Sequence, residues 1–435
     1  MLHTGQSMLT EKLLEQIKTI PVIDTHEHMV YESIFLKNKY DFTHLMSYVG
    51  LDLGLAGFPC NFWHTGQSAV REGASVAAKW KGIEPYWDFV RTGVYGRAYR
   101  RLLKLFFDID DLNDTSVHEI SERIQDYQFA GVYDKILHQQ FGIEVMLRVT
   151  DETACFEPRH FANVCYLGNY LDVYSGAQAE SGMGQALPPD FESFRALLEQ
   201  KLTQAISNGA VALKIGMLAR QRPLNFCAHC QNEIETSYQF LREKAGGEWL
   251  DEETRLRLKA FQDAAYWKAF EFAAEHDLPV QIHSGLEFPQ PWDGRPAALI
   301  PSIIRFPRTK FVIFHGSYPH IAELTGLAKS FPNVYLDLAW LHLLSRRQTQ
   351  IWMSEWLDVL PHNKIFAFGG DVFLFFGICS HLELARENIA VVLGERINAG
   401  VCNFDEAIIC AKRLFYDNPR NTFAFGNTNL KAKST

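Results

Sequence analysis

The stretch PVIDTHEHMV (residues 21–30) poses the question on which the fold turns. A hydrophobic run, Pro21-Val22-Ile23, leads into Asp24, His26, Glu27 and His28. Imidazole and carboxylate at that density are costly to desolvate unless something binds them. Alternate residues of a strand share a face, so His26 and His28 can aim both rings the same way while Glu27 points opposite. Imidazole is the commonest metal-binding side chain near neutral pH. An isolated HxH is weak evidence, because chance or core histidines explain most such pairs, so its weight depends on what stands at other strand ends.

Working outward, the same pattern recurs. Short apolar or β-branched runs alternate with helical patterns, the signature of βαβ units and a parallel sheet. After PVIDTH (21–26) the strand candidates are IEVMLRV (143–149), FANVCYLG (161–168), AVALKIG (210–216), PVQIHSG (279–285), KFVIFHG (310–316), NVYLDLA (333–339) and KIFAFGG (364–370). Eight in order fit a (β/α)8 TIM barrel over residues 1–435, read as one domain. Several are apolar until one ionisable residue near the C-terminal end: Lys214, His283, His315 and, just after the last, Asp371. In a closed barrel those ends converge on one mouth. Singly, each reads as a satisfied buried histidine or an ordinary ion pair; together with HxH they predict a metal site. Asp24 and Glu27 stand where they can orient the imidazoles.

Two stretches break the rhythm. Residues 31–125 are too long for one crossover and carry aromatic-rich elements, NFWHTGQ, KWKGIEPYWDFV and VYGRAYRRLLKLFF. They are read as a helical insertion after strand 1, a lid or specificity element, with a decoration or oligomer contact as the plainer alternative. The segment 217–260 is also oversized. Arg220 and Arg222 follow strand 4, where a guanidinium can grip a substrate carboxylate in bidentate fashion or simply pair with an acid. Tyr318 in HGSYP can reach the mouth or pack beneath the loop.

Composition bounds the partners. With 435 residues, 47% of them hydrophobic, the chain can bury a large core. A net charge of -9 argues against nucleic acid or an anionic membrane as partner. No run reaches the length of a membrane span, and the opening residues lack a signal-peptide core. An amphipathic helix is expected over Leu9 to Lys18. The eight cysteines are scattered, which suggests reduced thiols in the cytoplasm, and CAHC (Cys227 to Cys230) lacks a second pair at zinc-site spacing. GLDLGLAG (50–57) lacks GxGxxG spacing, and the chain has no P-loop and no GxSxG elbow, which removes nucleotide-dependent and serine-hydrolase readings.

The order HxH on strand 1, Lys on strand 4, His on strands 5 and 6 and Asp on strand 8 resembles the amidohydrolase superfamily. LPVQIHSG, FHGSYPHIAELTGLAKSFPNVYLDLAW, NKIFAFGGD and LKIGMLAR resemble its amidohydrolase-2 branch, which includes the nodulin- and FluG-type proteins. AAKWKGIEPYW and LLKLFFDIDDLNDTSVHEISERI more weakly resemble uronate isomerases, barrels of the same superfamily. The resemblance implies a metal-dependent hydrolase cleaving a C–N or C–O bond of a small carboxylate-bearing substrate by metal-activated water. The alternative is aldose–ketose isomerisation of a sugar acid in the same site, with decarboxylation third. It implies His26, His28, His283 and Asp371 as metal ligands, Asp371 also moving a proton, and His315 either binding a second ion or facing substrate. A free Lys ammonium has no lone pair and cannot ligate; in the superfamily this lysine can be carboxylated to bridge two ions, and otherwise Lys214 binds substrate. Arg220 and Tyr318 are the substrate-binding candidates. Histidine plus carboxylate suits zinc, one or two ions, with manganese, iron or cobalt as other choices. A homo-oligomer is expected.

Overall fold

The computed structural model describes residues 2–59, 74–150, 157–216, 218–246, 251–287 and 294–425. Eight parallel strands form one sheet in the order β1 to β8: Val22–Glu27, Ile143–Thr150, Phe161–Tyr166, Ala210–Ile215, Pro279–Ile282, Lys310–Ile313, Val334–Asp337 and Ile365–Phe366. All eight sit where the apolar runs predict them, and among the described residues helices fill every crossover except that from β2 to β3, so the fold is a TIM barrel. β1 and β4 are buried at every position, as expected of strands covered on both faces. The ring closes through Thr25, whose N–H donates to Phe368 O at 3.0 Å.

The later strands are shorter than their apolar runs. His283 lies one residue past β5, His315 two past β6 and Asp371 five past β8. These three residues therefore stand in the loops after their strands, whereas His26 and Lys214 lie within β1 and β4. His315 and Asp371 adopt left-handed backbone conformations, φ 59° and 56°, which no strand residue could hold.

By internal contacts the chain forms two compact units. One comprises residues 1–146, 338–358 and 367–417, the other 147–337, 359–366 and 418–435. In the first unit the amphipathic opening helix runs Leu2–Lys18, longer than expected. The stretch between β1 and β2 holds the helices Val49–Leu55, Val76–Val90, Val94–Phe107 and Ser116–Arg123, then a π-helical turn, Asp134–Gln140, that leads into β2. It thus extends beyond residue 125; NFWHTGQ lies outside the described residues. Aromatic rings fasten it to the helix Phe375–Asn398. Phe106 and Tyr127 stand 4.9 and 5.1 Å from Phe376, and Phe35 and Tyr133 stand 5.3 and 5.8 Å from Phe375. Such pairs contribute about 0.5–1.5 kcal/mol each beyond area burial. They fix the start of the helix that follows Asp371.

In the second unit, the helix Phe191–Ser207 is capped by Asp190, whose side chain accepts from Ser193 N, and Glu252–Glu275 by Asp251. Among the described residues no helix is long and apolar enough to cross a membrane.

Candidate metal centre

Because β1 is wholly buried, its polar side chains must find partners inside the protein. The His26 side chain is 2% exposed and that of His28 41%, so one ring is walled in while the other faces open space. The two rings meet edge to face with centroids 4.8 Å apart. Asp371 arrives from the far end of the sequence. Its N–H donates to His26 O at 3.0 Å, and its Oδ1 lies 3.3 Å from His26 Nε2 and 3.4 Å from His28 Nε2. Two donors bound at about 2.0–2.1 Å to one ion at a tetrahedral angle stand roughly 3.3–3.4 Å apart. Both imidazoles already hold that spacing from Asp371 Oδ1, and one ligand atom of each of the three side chains lies within 4.8 Å of the others. The residues present therefore fit a divalent ion.

The loop carrying Asp371 is shaped from below. Asp24 Oδ1 accepts from His26 N and Gly370 N, both at 3.1 Å, and Glu27 Oε2 accepts from Val372 N at 3.0 Å. These hydrogen bonds hold backbone rather than imidazole rings, so the two acids beside the histidines clamp the loop that delivers the third ligand. Burial, then the Asp24 carboxylate beside it, pushes the Glu27 pKa well above the ordinary carboxylate value. The loop can press this close because Gly370 has no side chain: a Cβ there would lie 1.9 Å from Glu27 Oε1.

Two buried histidines hold the same loop from the helical side. His381 Nδ1 faces Gly370 O at 2.9 Å and His342 Nε2 faces Ala367 O at 2.9 Å. A carbonyl only accepts, so each of those nitrogens carries the proton. The other His342 nitrogen, Nδ1, then accepts from Asn388 Nδ2 at 3.0 Å. Burial pushes the His342 pKa down to about 4; burial and then His342 push that of His381 down to about 3. Tyr48 completes the clamp, donating its hydroxyl to Asp371 O at 2.7 Å while stacking between Tyr95 and Trp340, centroids 5.4 and 5.0 Å away.

In the second unit, Lys214 is 3% exposed, with Nζ 3.5 Å from the centroid of the Phe314 ring. It pairs in register with Tyr166 of β3 and Gln281 of β5. His283 Nε2 faces Leu286 O at 2.9 Å and Glu287 Oε2 at 3.1 Å, so it carries the proton. His283 Nδ1 then accepts from His315 Nε2 at 3.0 Å. The loops after β5 and β6 interlock: Leu286 N donates to Tyr318 O at 2.6 Å, and a Cβ on Gly285 would lie 2.2 Å from that oxygen. Tyr318 enters this interlock through its backbone, with its side chain half-buried. Arg220 sits in the short helix Leu218–Gln221, and its side chain lies outside what is described.

Arg222 is 1% exposed and pairs with Asp263 at 2.7 Å and Gln262 at 2.9 Å, the ion pair of the plainer reading. Cys227 and Cys230 are free, exposed thiols. Tyr48, His342 and His381 escape sequence reasoning, since they stand outside the strand-end pattern. Tyr166 ends β3 in sequence, yet only the structure shows its ring filling space left by Gly168 and Gly216.

Comparison with known proteins agrees with this architecture. The amidohydrolase family (Amidohydro_2) matches residues 245–367. Over 368 residues, 80% of the chain, the sequence is 28% identical to Protein fluG of Emericella nidulans, and the match spans 39% of that longer protein. Uronate isomerase from Thermotoga maritima superposes with a TM-score of 0.75 at 17% identity, covering 96% of this chain and 97% of that one. Glucuronate isomerase from Caulobacter crescentus gives 0.69 at 15% identity, with 96% and 94% covered. At such identity the structural likeness speaks to the fold alone. The family match and the fluG similarity make the chain similar to amidohydrolases, and the His26–His28–Asp371 cluster gives that fold three side chains that could hold a divalent ion.

Proposed function

We propose that this protein is a metal-dependent hydrolase that cleaves a C–N or C–O bond of a small carboxylate-bearing substrate. The observation that carries this is the approach of His26 Nε2 and His28 Nε2 to one oxygen of Asp371, at 3.3 and 3.4 Å. His26, His28 and Asp371 would hold a divalent ion, zinc by preference for two imidazoles and a carboxylate, and such an ion would supply Lewis acidity that lowers the pKa of water from about 15.7 toward 7. Asp371 takes the proton of the attacking water and returns it to the leaving group. His28, open on one side, marks where substrate enters.

With an ion bound, His283 would give up its hydrogen bond to His315 and serve as a further ligand, and His315 would be a second-ion ligand or substrate contact. Lys214, Arg220 and Tyr318 hold the substrate carboxylate and hydroxyl groups, with carboxylated Lys214 as the two-ion variant. In this reading the chain is one barrel domain with residues 31–125 as its specificity element. It works as a cytoplasmic homo-oligomer on small molecules, without nucleic acid or membrane partners.

A second reading, aldose–ketose isomerisation of a uronic acid, is favoured by likeness to Thermotoga maritima uronate isomerase along 96% of the chain. Assay of the metal-loaded protein against N-acyl amino acids, γ-glutamyl amides and lactones tests the first reading. Assay for ketose from D-glucuronate and D-galacturonate tests the second. Hydrolysis without ketose formation supports the proposal; ketose formation with no hydrolysis across the panel overturns it.

A further inference from the structure

The segment DVFLFF (371–376) buries its apolar side chains with one exception. Val372, Leu374, Phe375 and Phe376 are at most 6% exposed, whereas Phe373 is 42% exposed. A single exposed apolar side chain is ordinary on a protein surface. Position sets this one apart. The Phe373 ring centroid lies 5.9 Å from that of His28, with the two planes tilted by 31°. His28 is the ring of the metal cluster that stands open, and its Nε2 lies 3.4 Å from Asp371 Oδ1. No second aromatic ring and no cation meets Phe373 among the described residues.

The backbone beneath the ring is held along its length. Asp371 N donates to His26 O at 3.0 Å, Val372 N to Glu27 Oε2 at 3.0 Å, and Val30 N to Phe373 O at 3.1 Å. Residues 371–373 are thus pinned along the exit of β1, and the ring keeps its place beside His28 in the free protein. A ring positioned in advance has little freedom left to lose when a ligand covers it, and its apolar area is still available to bury. Aromatic partners settle with centroids about 4.5–7 Å apart, offset or edge to face. A ligand ring at that distance from Phe373 leaves the polar group it carries on the open side of His28.

We propose that Phe373 is a specificity-determining residue: an aromatic ring of the substrate stacks on it while the reacting group meets the ion that His26, His28 and Asp371 would hold. The inference rests on the metal-centre reading and narrows its substrate class to aryl-bearing carboxylic acid derivatives.

Titration calorimetry on the zinc-loaded full chain tests it with benzohydroxamate and acetohydroxamate, which share a metal-binding group and differ by the ring. Benzohydroxamate binds at least about tenfold more tightly. Phe373→Ala removes that preference and leaves acetohydroxamate affinity and bound zinc, read by elemental analysis, at the wild-type level. Phe373→Trp, which keeps a ring, retains the preference. If neither probe binds the zinc-loaded protein, the metal-centre reading falls and takes this inference with it. Equal affinity for the two probes, a preference that survives Phe373→Ala, or a Phe373→Ala protein that weakens both probes alike or loses its zinc overturns the stacking role alone.

Discussion

Gly370→Ala should weaken metal binding although the new methyl touches no ligand. The added Cβ would stand 1.9 Å from Glu27 Oε1, 3.0 Å from Glu27 Cδ and 3.3 Å from Asp24 Oδ2, whereas real Cβ contacts essentially never fall below 3.0 Å. A gap of at least about 1.1 Å, 3.0 less 1.9, has to open. Glu27 is fully buried, bonded to Val372 N and packed against Asp24, so it cannot swing toward solvent. The glycine backbone must retreat instead, and Asp371 is the next residue. Metal sites tolerate ligand displacements of about 0.2 Å, and disturbing groups that position ligands typically costs about 10–100-fold in affinity. Overpacking adds roughly 1–3 kcal/mol of lost stability. Competition against a chromogenic chelator measures the first effect; urea unfolding in excess chelator measures the second. Gly326→Ala is the control: it lies in the helix Ile321–Ser330 with nothing within 4 Å of an added Cβ, and should leave both readouts unharmed. A Gly370→Ala protein with wild-type metal affinity and wild-type stability would refute the argument.

Other outcomes are equally checkable. The pKa of His342 is depressed in the folded protein to about 4, against about 6.5 in the unfolded chain, so the unfolded state alone takes up that proton as pH falls from 6.5 to 4. Stability is fully present above that window and declines through it by about 3 kcal/mol. Urea titrations at several pH values should show the decline in wild type and a shallower one in His342→Gln. Asp371→Asn keeps the shape but removes the charge and the proton acceptor; elemental analysis should show reduced bound metal, and turnover on any active substrate should fall by about 10²-fold or more. Tyr48→Phe loses the hydroxyl bond to Asp371 O and should cost about 0.5–1.5 kcal/mol of stability in urea, with its ring stack intact.

The barrel was readable because its strands are largely buried on both faces and therefore appear as near-continuous apolar runs, from Val22-Ile23 to Ile365-Phe366. His26 and His28 were readable as a pair because side chains of a strand repeat every two residues. Lys214, His283, His315 and Asp371 drew attention only as a set, each the first ionisable residue near a strand's C-terminal end, and of the four Asp371 is the one that clusters with His26 and His28. The strand pattern carried no signal for the clamp. Tyr48 and Asp371 are 323 positions apart, and nothing near Tyr48 in sequence marks it as a partner of that carbonyl. Asp24 and Glu27 drew attention as acids beside histidines, yet besides the His26 N–H they accept from Gly370 and Val372, residues more than three hundred positions away.

Local chemistry written along the chain was enough for the element order, the residue types at the strand ends and a resemblance to amidohydrolases, since hydrophobic periodicity and ligand spacing are properties of neighbours. Which carboxylate meets which imidazole, and that Arg222 is spent on Asp263 rather than on a substrate, were decided by packing. Those distances arise only when remote segments are pressed together at crystal-like density, where a missing methyl at Gly370 or a left-handed turn at Asp371 positions a ligand atom.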